Sequence, residues 1–304
     1  MIELDHVSRW FGLVIGLNDV SAHIGPGITA LLGQNGAGKT TMIRMITGQI
    51  RPTTGRIEIL GEEPFANPNV FRQLGYCPEI DQFYEWMTGR EFVEHMGRLS
   101  GFGASEAKER SQRMLQIVGM ADRCDKKIAG YSKGMRQRIK LAQAMLHDPK
   151  IILLDEPLNG LDPVGRHEFM QVVAGLADRG KCIIISSHIL SEVEQLTHNI
   201  FLLHRGRLLA TGNLTTIRNL IDKHPHRIRI ETPEPQRVAS LMLTLDNVLS
   251  LDLDRDGAVD LEVKNADTFY PAVANLVLEH DLKIHGLASP DNNLESVFQY
   301  LVGA

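Results

Sequence analysis

The stretch "GQNGAGKTT" at residues 33–41 constrains this chain more than any other. It directly follows the apolar run "ITALL" and fits the spacing G-x-x-x-x-G-K-[ST]. Gly33, Gly36 and Gly38 allow a backbone to curl until its N–H groups point at one anion. A helix starting where the curl ends turns its positive N-terminal dipole toward the same charge. Lys39 can span the β- and γ-phosphates, and the Thr40 hydroxyl can ligate magnesium. Asn35 and Thr41 belong to the same loop and complete its expected nucleotide contacts. A strand, this loop and a helix together predict an α/β sheet that binds a nucleoside triphosphate with Mg2+.

A second apolar run, "IILLDEP" at 151–157, ends in two adjacent acids. In open α/β sheets ligands sit beyond the carboxyl ends of strands, so Asp155 and Glu156 are expected in the crevice of Lys39. Asp155 is suited to the magnesium shell, and Glu156 to polarising a water for attack on the γ-phosphate. "CIIISS" at 182–187 ends similarly, with His188 following it.

Along residues 1–212 the runs "ITALLG" (28–33), "IEIL" (57–60), "IILLD" (151–155) and "CIIISS" are continuous enough for strands of a parallel sheet buried on both faces. Helical patterns fall between them at 39–48, 104–118, 134–147 and 165–178. "NIFLLHRGRLLATG" (199–212) predicts a hairpin turning at Arg205 and Gly206. Residues 80–130 are polar, helical in pattern and broken by glycines, which predicts a helical insertion. After Gly212 the order becomes strand, helix, two strands around a turn, helix, strand and a last helix at 291–302. That order predicts a small ferredoxin-like domain over 213–304.

Within it, Asp252, Asp254, Asp256 and Gly257 imitate the start of a calcium loop. The position that should carry a bidentate Glu is Val263, and alternating leucines and valines flank the turn, so a hairpin is the reading.

The bulk properties agree with two domains: 304 residues, 43% hydrophobic and 23% charged. A net charge of −5 supplies no footprint for nucleic acid, and none is expected as a partner. No apolar run approaches the ~20 residues that span a bilayer. The first residues, "MIELDHVSRW", lack a signal-peptide pattern. Cys77, Cys124 and Cys182 show no paired spacing and read as buried thiols in a reducing compartment.

Taken together, residues 1–212 resemble the ATP-binding cassette (ABC) family of ATPases. "YSKGM" (131–135), with "RQR" after it, matches the family's signature turn, usually Leu-Ser-Gly-Gly-Gln. The resemblance implies a homodimer in which Ser132 and Gly134 cap the ATP held by the other chain. It also implies that Phe11 stacks on adenine, with Trp10 as the alternative, and that His188 hydrogen-bonds the γ-phosphate. Asp162 in "NGLDP" matches the acid at the dimer seam. Glu79 stands where the family most often has a magnesium-sensing glutamine, which puts its metal contact in doubt. Lys133 and Met135 also depart from the pattern, and Lys133 is left between a phosphate contact and solvent.

"YSKGM", "PE" and the added C-terminal domain are similar to cassettes of ABC-2-type exporters. That subgroup implies a separate integral membrane permease and a peripheral place on the cytoplasmic face of the membrane. A soluble ABC ATPase acting on ribosomes or DNA, and an ATP-dependent regulatory switch, are the alternatives.

Overall fold

The apolar runs of residues 1–212 become strands of two sheets, and the glycine loop joins one of them to a helix. The computed structural model describes residues 1–189, 193, 195–213, 217, 225–254 and 257–290. In chain order the elements are β1 (Ile2–Phe11), β2 (Val14–Ile24), β3 (Gly27–Leu32), α1 (Lys39–Ile46), β4 (Thr54–Ile59), α2 (Pro68–Phe71) and β5 (Leu74–Cys77). Then come α3 (Gly89–Leu99), α4 (Ala104–Ile117), α5 (Lys133–Met145), β6 (Ile151–Leu154), α6 (Pro163–Ala177), β7 (Cys182–Ser187), β8 (Ile200–His204) and β9 (Arg207–Gly212).

Six strands form a sheet in the order β5-β6-β7-β3-β8-β9, parallel except for β9. Every residue of β6 and β7 is buried, as their unbroken apolar runs require. The β8–β9 hairpin turns at Arg205 and Gly206, both at positive φ (46° and 78°), the conformation that matches strand twist.

A separate antiparallel sheet has the order β2-β1-β4. This corrects the reading of "IEIL" as a parallel-sheet strand: Ile57 pairs with Leu4 and Ile59 with Ile2, both antiparallel. Only Ile57 and Ile59 of β4 are buried, the one-sided alternation of a sheet with an open face. Residues of α1 (Met42, Ile43, Met45, Ile46) share one core with Ile2, Leu4 and Ile57 and with Leu31, Leu153 and Ile184. The glycine loop is therefore anchored through α1 to both sheets.

The chain divides into two compact units, Met1–Gly212 and Asn213–Ala304. The second contains β10 (His226–Glu231), α7 (Pro235–Met242), β11 (Val248–Leu253), β12 (Ala258–Val263), α8 (Ala266–His280) and β13 (Gly286–Ala288). Its sheet order is β11-β12-β10-β13, with antiparallel neighbours throughout, as in a ferredoxin-like domain. Ile228, Ile230, Val259, Leu261 and Phe269 form a core of its own. The strand expected over 282–288 is confined to Gly286–Ala288. The helix expected at 291–302 and Asp256 of the calcium-like loop lie outside the described residues. Among the described residues no helix is long and apolar enough to cross a membrane.

Candidate active site

Neighbouring strand ends bring the sequence-predicted groups together. β3 leads into the glycine loop, β7 into His188, and β6 into Asp155 and Glu156. Gly38 occupies the N-cap of α1 at φ 109°, a conformation that side chains rarely adopt. A Cβ there would lie 2.6 Å from Gly16 O, and one on Gly33 would lie 2.4 Å from Leu203 O. The loop is glycine-rich for two reasons, conformation and close backbone approach.

Beside it lies a cavity of about 390 Å³. Asn35, Gly36, Gly38, Lys39, Thr40 and Thr41 form its floor, while Glu79, Glu156, Asn159 and His188 face them. Phe11, Val14 and Ile15 line the remaining side. Of the two aromatic candidates Phe11 is at the cavity; its ring also stacks against the Arg9 guanidinium, 4.8 Å from the ring centre.

Lys39 and Glu156 are buried and interlocked. Lys39 Nζ donates to Gly33 O at 2.6 Å and lies 3.1 Å from Glu156 Oε1. His188 Nδ1 donates to Glu156 Oε2 at 2.8 Å. Glu156 itself adopts a left-handed backbone, φ 47°, uncommon for a residue other than glycine and a feature that concentrates at functional sites. Ser186, whose role sequence reasoning missed, holds both acids: its hydroxyl donates to Asp155 Oδ1 at 2.7 Å and accepts from Glu156 N at 2.8 Å.

Burial pushes the Asp155 carboxyl above its usual range, and hydrogen bonds from the Ser186 and Thr40 hydroxyls act against that. A buried carboxylate touching a threonine hydroxyl is a set of hard oxygen donors, the kind that fits Mg2+. Thr40 and Asp155 would hold that ion.

Three expected contacts lie apart from this cavity. Ser132 is the N-cap of α5, accepting from Met135 N at 3.3 Å. Asp162 is the N-cap of α6, accepting from Gly165 N at 3.0 Å. Neither these two nor Gly134 lines the cavity of their own chain. Lys133 faces neither solvent alone nor that cavity; its Nζ lies 3.4 Å from Asp81 Oδ1. Val14 and Ile15 escaped the sequence reading because no motif marks them, and Asn159 did although it opens the "NGLDP" stretch read for Asp162.

Comparison with known proteins gives matches both in sequence and in overall fold. The ABC transporter family model matches residues 17–159. The uncharacterized ABC transporter ATP-binding protein sll0415 of Synechocystis is 42% identical over 189 residues, or 62% of this chain. The match spans about half of that relative's length, 53%. The bacitracin transport ATP-binding protein BcrA of Bacillus licheniformis is 31% identical across 100% of this chain and 97% of its own. A solved structure of the ATP-binding subunit of an ABC transporter superposes with a TM-score of 0.65 at 32% identity, covering 72% of this chain and 92% of that one.

Proposed function

Because the chain belongs to the ABC transporter family of ATP-binding proteins, we propose that it is the ATPase subunit of an ABC-2-type exporter. Two copies would close around ATP and drive a separate membrane permease. The observation that carries this reading is the split between the cavity and the Ser132 turn. The cavity has a phosphate cradle, a lysine and an acid, yet the Ser132 turn presents its hydroxyl and helix N-terminus elsewhere. A second copy placed head to tail would supply that turn to the γ-phosphate, so nucleotide joins the two. Likeness to a bacitracin transport protein along the whole chain supports a transport role over the alternative roles.

The residues divide the chemistry between them. Lys39 and the loop N–H groups hold the phosphates, and Phe11 offers a ring for adenine to stack on. Magnesium, held by Thr40 and Asp155, would offset phosphate charge. A triphosphate draws Lys39 toward itself and away from Glu156, leaving that carboxylate to accept a proton from the attacking water. His188 bonds the γ-phosphate and keeps Glu156 oriented through Nδ1.

A docking surface for the permease adjoins Glu79. Phe83 packs edge-on against Phe92, 5.0 Å between ring centres, while Ile80, Tyr84, Trp86 and Leu99 are exposed around them. Such an aromatic and apolar patch suits an amphipathic helix at the cytoplasmic membrane face.

Glu156→Gln tests the reading. The variant should still bind ATP, lose on the order of a hundredfold or more in turnover, and run as a dimer on a sizing column with ATP-Mg2+. Full activity refutes Glu156 as the base, and a monomer at saturating ATP-Mg2+ refutes the nucleotide-joined dimer.

A further inference from the structure

A second cavity, of about 350 Å³, lies at the opposite edge of the parallel sheet. Asp148 and Lys181, which help to line it, precede β6 and β7, whose far ends carry Asp155, Glu156 and His188. Strands of four and six residues, at ~3.3 Å per residue, set those two edges roughly 13–20 Å apart. The two cavities share no lining residue. The floor of the second is apolar, formed by Met114 and Ile117 of α4, Met145 of α5 and Leu176 of α6. Met145 and Leu176 are buried, and Met114 and Ile117 half-buried.

The polar groups around that floor fall into two sets. Arg110 Nε donates to Glu106 Oε1 at 2.9 Å and its Nη1 to Leu146 O at 3.2 Å, while its guanidinium sits 4.2 Å from the centre of the Phe102 ring. Lys181 Nζ donates to Asp148 Oδ1 at 2.7 Å and to Pro149 O at 2.6 Å. These cations and the carbonyls beside them are matched. Arg113 and Arg179 stand exposed on the rim, and among the described residues no side-chain hydrogen bond or ion pair engages either one. Glu109 is the one lining acid in the same condition, so the rim keeps an excess of uncommitted positive charge. Its field is felt nearby. The bond from Lys181 holds the Asp148 carboxyl below its usual range, with the charges of Lys181, Arg110 and Arg113 acting the same way.

We propose that this cavity is a second ligand site, for a small amphipathic anion: an apolar body carrying one carboxylate, phosphate or sulfonate group. The body would lie on Met114, Ile117, Met145 and Leu176, where it removes hydrocarbon surface from water. The acidic group would meet Arg113 and Arg179, whose planar guanidiniums pair with such oxygens two at a time. An inorganic ion gains nothing from the floor, a neutral hydrocarbon gains nothing from the rim, and a cation is repelled by it. Bound there, the anion would bridge α4 of the insertion to the end of α6. The site needs neither nucleotide nor a second copy, so it stands apart from the ATPase reading.

Methyl NMR on the full chain, with Met and Ile methyl groups labelled, tests the site with naphthalene-1-sulfonate as the probe. The Met114, Ile117 and Met145 methyls should shift together and saturate with one Kd at or below about 1 mM, ordinary for a ligand of that size. Ile15, in the nucleotide cavity, should stay still. Naphthalen-1-ylmethylamine, with the same rings and an ammonium, should bind at least about tenfold more weakly, and sulfate alone should shift none of the three. The double variant Arg113→Gln with Arg179→Gln, both on the surface and safe for folding, should weaken the sulfonate about tenfold or more. Unchanged affinity in that variant overturns the proposal, as does equal binding of the amine. Shifts at Ile15 without the other three, or at every methyl alike, overturn it as well. Sulfate acting as well as the naphthalene-sulfonate overturns the amphipathic class.

Discussion

Gly38 shows how much one missing side chain can matter. Its φ of 109° and the 2.6 Å gap from a hypothetical Cβ to Gly16 O act together. Gly38→Ala should cost ~1–3 kcal/mol from conformation alone, with a backbone collision added. ATP affinity should fall more than about tenfold, because the N–H groups of the loop no longer converge. Gly36→Ala is the comparison: φ is 80°, but nothing lies within 4 Å of the added carbon. It should lose less stability, and equal melting temperatures for the two variants would contradict the collision. His147 shows a different residue-scale effect. Its Nε2 donates to Leu74 O at 2.9 Å, and burial pushes the imidazole below its usual value. The unfolded chain therefore binds this proton first as pH falls. Stability should be full above pH ~6.5 and decline below it. A further loss should begin below ~4, where Asp125 and Asp148 become protonated in the unfolded chain, because bonds from Arg90 and Lys181 hold those carboxylates lower in the fold. Melting curves from pH 7 to 5 should flatten in His147→Gln, and an unchanged slope would remove His147 from the account.

Among elements, α3 is built for a fixed start. Thr88 accepts from Glu91 N at 3.2 Å while Glu91 Oε2 accepts from Thr88 N at 2.8 Å, a reciprocal capping box. Thr88→Ala should cost ~1 kcal/mol, or ~2–4 °C in Tm for a unit of this size. ATP affinity should not change, since Thr88 lies outside the cavity, and a melting temperature equal to that of the parent would show that the box adds nothing. The helices over 89–117 match the expected helical insertion, whereas β1, β2 and β5 were not anticipated. β5 is a four-residue run, "LGYC", too short to stand out from its surroundings. β1 and β2 mix charged and apolar residues because one face of their sheet is open.

For the whole molecule, the main consequence is that each compact unit has its own buried core. A fragment of residues 1–212 should fold cooperatively and bind ATP with nearly the affinity of the full chain. Circular dichroism and nucleotide titration check this; an unfolded fragment would mean that the cassette depends on residues 213–304.

Sequence alone determined the phosphate loop, the acids after β6, the β8–β9 hairpin and the ferredoxin-like order of the second unit. Each is written in a local pattern: glycine spacing, an unbroken apolar run, or alternation around a turn. Tertiary structure decided which strands pair and which side chains meet. Ile57 finds Leu4, Ser186 bridges two acids 30 and 31 positions away, and Lys140 reaches Pro78 across 62. A buried charge or hydroxyl takes whichever complementary group the packed chain brings within about 3 Å. No neighbouring residue records that choice, because it is made by the fold as a whole.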